Sequence, residues 1–304
     1  MGDIDRRGFI KLGASSMAVF ALSPLLTACG SGGSVQSASS PIPASKAFRQ
    51  KGVWFQFNNK GIVDKDETIK SALIFDGAGS VAYYPLSHVT FSDLQGKTND
   101  LEGFVKESHR ENFESKRSDA SSRLQEEIGY AQSRYDKTAS DKENGVVPHI
   151  EKFYFGATAD VLNEYYDEEL RPLSSRLEAL KGNKSIVDSL EYQEPSFQTY
   201  TLRVKTDGSG NATASESLQW AYTAVDWGTL DSEHLTTSSN GVVTNNVTAQ
   251  YMNDESDIDL VPDSVVQDVY DMHFRGFDKL VTIVDEKHAG FTLDDPKTDG
   301  VEVD

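Results

Sequence analysis

Cys29 is the only cysteine in the 304-residue chain. Leu26, Thr27 and Ala28 precede it and Gly30 follows, so a thiol flanked by small and apolar residues has no second thiol to pair with. It is open to alkylation, and no disulfide can brace the fold. The six histidines, His88, His109, His149, His234, His273 and His288, are spread over separate segments. Neither His-x-x-x-His nor His-Glu-x-x-His spacing occurs, so a zinc site would have to be assembled from distant elements. His109 reads as solvated on a charged helix, and His273 and His288 stand beside aromatic residues and read as packed or exposed rather than liganding. For serine chemistry the strand-turn-helix elbow Gly-x-Ser-x-Gly is missing. Asn253-Asp254-Glu255-Ser256-Asp257-Ile258-Asp259 places oxygen donors at alternate positions, as a calcium loop does, but lacks its central glycine and closing bidentate glutamate. An acidic surface loop is the expectation there, and Asp207 to Glu216 fails the same test. Carboxylate pairs for glycosidic cleavage are defined by their separation in the fold, and no spacing selects one. The residues thus name no catalytic group, no cofactor site and no metal site.

Chemistry at Cys29 depends on what precedes it. Arg6-Arg7-Gly8-Phe9-Ile10-Lys11 leads into an apolar run, Leu12 to Leu25, that stops at Leu26-Thr27-Ala28-Cys29. A basic start, a short apolar segment and a small-residue end make up the layout of a secretory signal. The first part resembles the twin-arginine export signal, with Arg6, Arg7, Phe9 and Lys11 in its motif; it departs at Asp5, where Ser or Thr is usual, and at Ile10, where Leu is commoner. The second part resembles a bacterial lipobox. That resemblance implies a diacylglyceryl thioether on Cys29, removal of residues 1–28, and acylation of the new amino terminus by a fatty acid such as palmitate. Two other readings compete, an uncleaved membrane anchor and a buried helix. Pro24, Gly13 and a run short of the ~20 residues that span comfortably oppose the first, and the Gly/Ser stretch after Cys29 opposes the second. The expected location is the extracytoplasmic face of the cell membrane, with the bilayer and the export machinery as partners. The twin-arginine resemblance also implies export of a folded body.

Composition bounds that body. Hydrophobic residues at 38% and aromatics at 10% suffice for a packed core in one large domain or two small ones. The 48 acidic residues against 29 basic give a net charge of -19, a field that repels nucleic acid and anionic headgroups and excludes both as partners of the body.

Along the chain, residues 29–48 are rich in Ser, Gly and Pro and read as a flexible tether. Gly52-Val53-Trp54-Phe55-Gln56-Phe57 reads as an aromatic strand. Ser71–Phe75 and Ser80–Tyr84 flank Asp76-Gly77-Ala78-Gly79 and read as a hairpin. Gly77-x-Gly79-x-x-Ala82 also matches a loose dinucleotide fingerprint, but β-branched and aromatic residues follow where that motif needs a helix. From about 98 to 182 the pattern turns helical. Leu101, Phe104, Val105 and Ser108 share one face, and Leu124, Ile128, Ala131 and Tyr135 share another after a polar interval, Glu111 to Ser122, that suggests a break or a departing helix. After a short aromatic strand at 152–155, a second helix carries Val161, Leu162, Tyr165, Tyr166, Leu170, Leu173, Leu177 and Leu180, is kinked or split at Pro172 and stops at Gly182. A second hairpin turns at Asp207-Gly208-Ser209-Gly210. Residues 236–248 read as strand or loop, 263–272 as a short helix, and Leu280–Val284 with Gly290–Leu293 as a third strand pair.

The fold expectation is α+β: a single domain over 49–304, with a mainly antiparallel sheet, open or closing toward a barrel, and a helical insertion. Gly52-Val53-Trp54-Phe55, Phe75-Asp76-Gly77-x-Gly79, Phe91-x-Asp93-Leu94 and His288-Ala289-Gly290-Phe291-Thr292-Leu293-Asp294-x-Pro296-x-Thr298 look like a group of uncharacterised surface proteins and lipoproteins of Gram-positive bacteria. The motifs are structural and imply no activity. Gly52-x-Trp54 is also similar to the opening strand of lipocalins, which would imply a barrel lined by Trp54, Phe75 and Tyr83. The functional expectation is a non-catalytic surface module that binds a protein, a glycan or a small apolar ligand; the alternative is an exported hydrolase of envelope or dietary polymers.

Overall fold

Alternating burial organises the centre of the molecule. The computed structural model describes residues 35–58, 62–149, 156, 158–228 and 249–304. In chain order these form β1 (Ile42–Pro43), α1 (Ala44–Phe48), β2 (Gly52–Phe57), β3 (Ile69–Phe75), β4 (Ser80–Pro85), a 3-10 turn (Phe91–Leu94), α2 (Leu101–Glu143) and α3 (Ala159–Ser189). There follow β5 (Gln198–Thr206), β6 (Thr213–Asp226), β7 (Gln250–Asp259), β8 (Gln267–Val269), β9 (Met272–Phe277), β10 (Leu280–Val284), β11 (Phe291–Thr292) and β12 (Val301–Val303). The main sheet runs β7-β6-β5-β4-β3-β2-β10-β9-β8, with β12 beside β5. Neighbours along this path are antiparallel, while β12 on β5 and β1 on β11 are parallel. The fold is therefore α+β, with the helices inserted between β4 and β5.

β7 and β8 stand at opposite edges and do not pair, so the sheet is open. No lipocalin-like lumen forms around Trp54 and Phe75: both are fully buried, and Tyr83 packs against the same solid cluster. Val53, Phe55, Ala72, Ile74, Ala82 and Tyr84 face one side, against Phe91, Leu94, Leu101 and Val105. Trp54, Leu73, Phe75 and Val81 face the other, against Ala44, Ala47 and Phe48 of α1 and Leu202, Leu218 and Trp220 of the β5-β6-β7 meander. A sheet covered on both faces needs apolar residues at nearly every position, which is why β2 and β3 read as continuous hydrophobic runs.

Both Asp-Gly turns form as hairpins. Asp76 Oδ1 accepts from the backbone N–H of Ala78 (2.7 Å) and Ser80 (2.9 Å), with Gly77 and Gly79 at φ 79° and 101°. Asp207 does the same for Ser209 at 3.1 Å.

Several expectations are corrected. The supposed tether is docked from Gln36 onward. Gln36 bridges to Val284, β1 pairs with β11, and Ala44, Ala47 and Phe48 are fully buried. Composition alone hid this, because the segment's apolar residues are few and need an existing sheet to bury against. The polar stretch 111–122 does not interrupt α2, which is one helix of 43 residues; Phe113 and Ala120 remain on its inward stripe, and pairs such as Glu114–Arg117 (2.5 Å) occupy its wet side. α3 passes through Pro172 and beyond Gly182 to Ser189. The carbonyl that Pro172 leaves without a donor belongs to exposed Glu168, and tertiary packing of Leu177, Leu180 and Val187 carries the helix onward. Asn253 to Asp259 is edge strand, not loop, and its alternate carboxylates follow the strand period; charges there discourage pairing with another chain. Residues 263–272 make no helix but lead into the β8-β9 hairpin, with Val269 and Met272 inward and Val265 and Tyr270 exposed. β10 pairs with β2 and β9, not with β11. The strand expected at 152–155 and the segment 236–248 lie outside the described residues.

Two glycines give opposite predictions. A methyl group on Gly182 would meet nothing within 4 Å, so Gly182→Ala is expected to raise unfolding free energy by about 0.5–1 kcal/mol in denaturant titration. On Gly276 it would run into the Leu280 carbonyl and come within 2.8 Å of Val281 Cα, so Gly276→Ala is expected to cost about 1–3 kcal/mol or more in the same assay.

The helices have a direction relative to the sheet. Gly52, Phe75, Val81 and Val284 lie at one end, where Gln36 docks. α2 starts at that end, with Glu102 bound to Lys51 (3.1 Å), and reaches the other by Asn112, which bonds Ser87 and the Pro85 carbonyl. It then continues from Phe113 to Glu143, about 45 Å at 1.5 Å per residue, with α3 returning antiparallel alongside. Lys142–Asp167 (2.5 Å), Arg176–Glu127 (3.3 Å) and Ser121–Asp188 (2.6 Å) mark successive levels of the pair. Leu124, Ile128, Ala131, Leu177, Leu180 and Val187 fill its seam.

Candidate functional site

Two clusters of polar and titratable groups withdrawn wholly or partly from water stand out, one at each end of the sheet. At the docking end, α1 opens with Ser45, whose backbone N–H and Oγ donate to Asp294 Oδ2 (2.7 Å) and Oδ1 (2.6 Å). Asp294 follows β11, and its own N–H donates to Glu216 Oε2 (2.7 Å). Thr213 Oγ1 donates to the Asp294 carbonyl. Glu216 points inward because it shares the face of Leu218 and Trp220 on β6. Both carboxyls are 1% exposed. Burial above all, with the negative charge of Asp294 added, pushes Glu216 up to about 8, so the pair carries one proton at neutral pH. Two carboxyls sharing a proton are the raw material of acid-base catalysis, but these two are sealed from any substrate and serve to fasten α1 and the C-terminal segment to β6. Nearby His288 is also 1% exposed. It lies against Phe291 with ring centroids 4.8 Å apart, and its Nδ1 accepts from Gly290 N–H at 3.0 Å. Burial holds its pKa down.

At the opposite end α2, the segment after α3, and β6-β7 enclose a small cavity of about 60 Å³ lined by His109, Phe113, Gln193, Thr223, Trp227 and Tyr251. His109 shares a hydrogen bond of 3.0 Å with the Tyr192 hydroxyl and meets Tyr84 edge-on at 5.4 Å. Phe113 sits 5.5 Å from Tyr192 and 5.6 Å from Trp227. Tyr251 holds the segment in place, accepting from Gln193 N–H (2.7 Å) and donating to the Glu191 carbonyl (3.1 Å). Burial lowers His109 to about 4, and burial with Glu194 nearby raises Tyr192 to about 12. At neutral pH both are uncharged, and an imidazole of that pKa is a weak base.

The reading of His109 as a solvated helix residue is thereby corrected. The signal was present: Leu101, Val105, His109 and Phe113 recur every four residues, which places His109 on the inward face. His273 pairs across the β8-β9 hairpin with Asp268 at 2.7 Å, His88 occupies an exposed turn at φ 64°, and His149 follows α2. Among the described residues no three His, Cys, Asp or Glu side chains converge as a metal site would need. Cys29, Arg6, Arg7, Phe9, Lys11 and His234 lie outside the described residues. No helix among those described is long and apolar enough to cross a membrane. Compared with family models, curated proteins and solved structures, the chain matches none.

Proposed function

We propose that the protein is a lipid-anchored, extracytoplasmic, non-catalytic binding module that holds the α2-α3 arm away from the membrane toward a surface protein or glycan. The observation that supports this reading is the opposed placement of the docked N-terminal segment and the arm. The chain joins the sheet at Gln36 beside Val284, and α2 leaves the opposite end. Seven residue steps separate Cys29 from Gln36, a reach of at most about 25 Å. A thioether at Cys29 would keep the docking end near the bilayer and send the arm outward. The acidic body, repelled by anionic headgroups, suits the same orientation.

A photo-crosslinking residue tests this at two sites in cells: Tyr130 on the arm, 61% exposed, and Val35 at the docking end, 50% exposed. Adducts from Tyr130 to a discrete surface protein or glycan, with lipid adducts from Val35, are the expected result. Lipid adducts from Tyr130, or the same adducts from both, overturn it. For export, replacing Arg6 and Arg7 together by Lys is expected to leave uncleaved precursor in the cytoplasm, measured by fractionation and immunoblot. Normal processing of that double variant would assign the chain to the general secretory pathway instead.

A further inference from the structure

The N-terminal segment is fastened along the C-terminal one by a series of bonds. Gln36 N–H donates to the Ile283 carbonyl (3.3 Å), Asp285 N–H to the Gln36 carbonyl (2.9 Å), Ala289 N–H to the Ala38 carbonyl (2.9 Å) and Ile42 N–H to the Gly290 carbonyl (2.9 Å). The series ends at Ser45 on Asp294. Only this last attachment runs through buried ionisable groups of like sign. Three donors serve the four carboxyl oxygens: Ser45 N–H, Ser45 Oγ and Asp294 N–H. Both Asp294 oxygens are paired, and Glu216 Oε1 is buried with no partner. This donor count puts the negative charge on Asp294 and the proton on Glu216, since an unpaired carboxylate oxygen in such a site is costly.

We propose that Ser45, Asp294 and Glu216 form a proton-dependent latch, in which loss of the Glu216 proton releases residues 36–48 from the sheet. Asp294 is the only charged group acting on Glu216. Its neighbours from the other packed elements are uncharged: Val204 opposite it on β5, Leu260 beyond β7, and Ser45 on α1. Arg49 and Asp294 both act on Tyr200, and Arg49 is not among the groups acting on Glu216. Deprotonation therefore sets two carboxylates against each other with no cation acting on Glu216. The weakest response is to separate the segments, which exposes both to water. Under the lipid-anchor reading, release would lengthen the link between bilayer and body from seven residue steps to about twenty; the latch itself does not rest on that reading.

Hydrogen exchange on the mature chain, with and without Cys29→Ala, tests the latch between pH 6 and 9.5. After correction for base catalysis, the opening of residues 36–48 is expected to rise by up to about tenfold per pH unit until about 8 and to level off above it, while β3 stays protected. Glu216→Gln is expected to abolish the rise. Asp294→Asn removes the repelling charge and is expected to make the rise level off at lower pH with a smaller total increase. Exchange of 36–48 that is flat to pH 9.5, or that rises equally in Glu216→Gln, overturns the proposal. If Glu216→Gln does not fold, the segment-selective rise and its shift in Asp294→Asn decide. Since the latch is read without lipid, failure of the anchor reading leaves this result intact.

Discussion

Phe48→Ala is expected to destabilise the protein by about 3–5 kcal/mol, the range for deleting a buried aromatic ring from a core that cannot collapse around the gap. Phe48 is fully buried. Its ring stacks on Phe75 at 4.7 Å, meets Trp54 edge-on at 4.9 Å, and lies 5.9 Å from Phe277 and 6.3 Å from Tyr200. These neighbours come from β2, β3, β5 and β9, so the side chain ties four strands together on one face of the sheet. Chemical denaturation followed by tryptophan fluorescence would measure the loss, since Trp54 reports on the same contact. The result separates two pictures of the N-terminal segment. If residues 35–48 were a solvated tether, the substitution would change stability by no more than about 0.5 kcal/mol.

The acid and alkaline limbs of stability follow from the buried groups. Glu216 is raised in the folded state to about 8 from an ordinary 4.5. Its stabilising contribution is therefore complete below pH 4.5 and is lost as pH rises through about 8. His109, lowered to about 4 from 6.5, works the other way: it favours the folded state above 6.5 and loses that contribution as pH falls through about 4. Thermal melts across pH should show stability falling at both ends, with Glu216→Gln flattening the alkaline limb alone.

What the sequence disclosed was local chemistry, and what it withheld was partnership. The two Asp-Gly turns were legible because positive φ at Gly77 and Gly79 is a demand that few residues meet. β2 and β3 were legible because a doubly covered strand is apolar throughout. The antiparallel sheet and the helical insertion between its halves followed from the order of those patterns. The pairing of β10 was not legible, because Leu280–Val284 has the same apolar character whichever strand lies beside it, and the adjacent Gly290–Leu293 was the simplest partner by proximity in sequence. β11 pairs instead with residues 249 positions earlier, a long-range contact that only the complete fold specifies. The carboxyl pair was invisible for the same reason: Glu216 and Asp294 are separated by 78 residues, and nothing local to either marks it as buried. Pro172 and Gly182 were read by propensity, and packing against α2 outweighed it.

Cys29→Ala is expected to move the protein from the membrane fraction to the soluble fraction, or to leave residues 1–28 attached. Two or three acyl chains, at roughly 0.8 kcal/mol per buried methylene, hold a protein on a bilayer against dilution, whereas one does so only marginally. The charge of the body is not expected to compensate for their loss. Its net charge is -19 with the signal and one unit more negative without it, since the signal holds three basic and two acidic residues, and such a field opposes adsorption to anionic headgroups. Detergent partitioning and intact-mass measurement of the mature chain give the readout, the wild type carrying added fatty-acyl mass at its N-terminal peptide and the variant none. A wild-type N-terminal peptide free of acyl mass, or a variant that partitions with membranes as the wild type does, would remove the anchor and with it the outward orientation of the arm. The packing of α1, the open sheet and the carboxyl latch would stand, because each is built from contacts downstream of Val35.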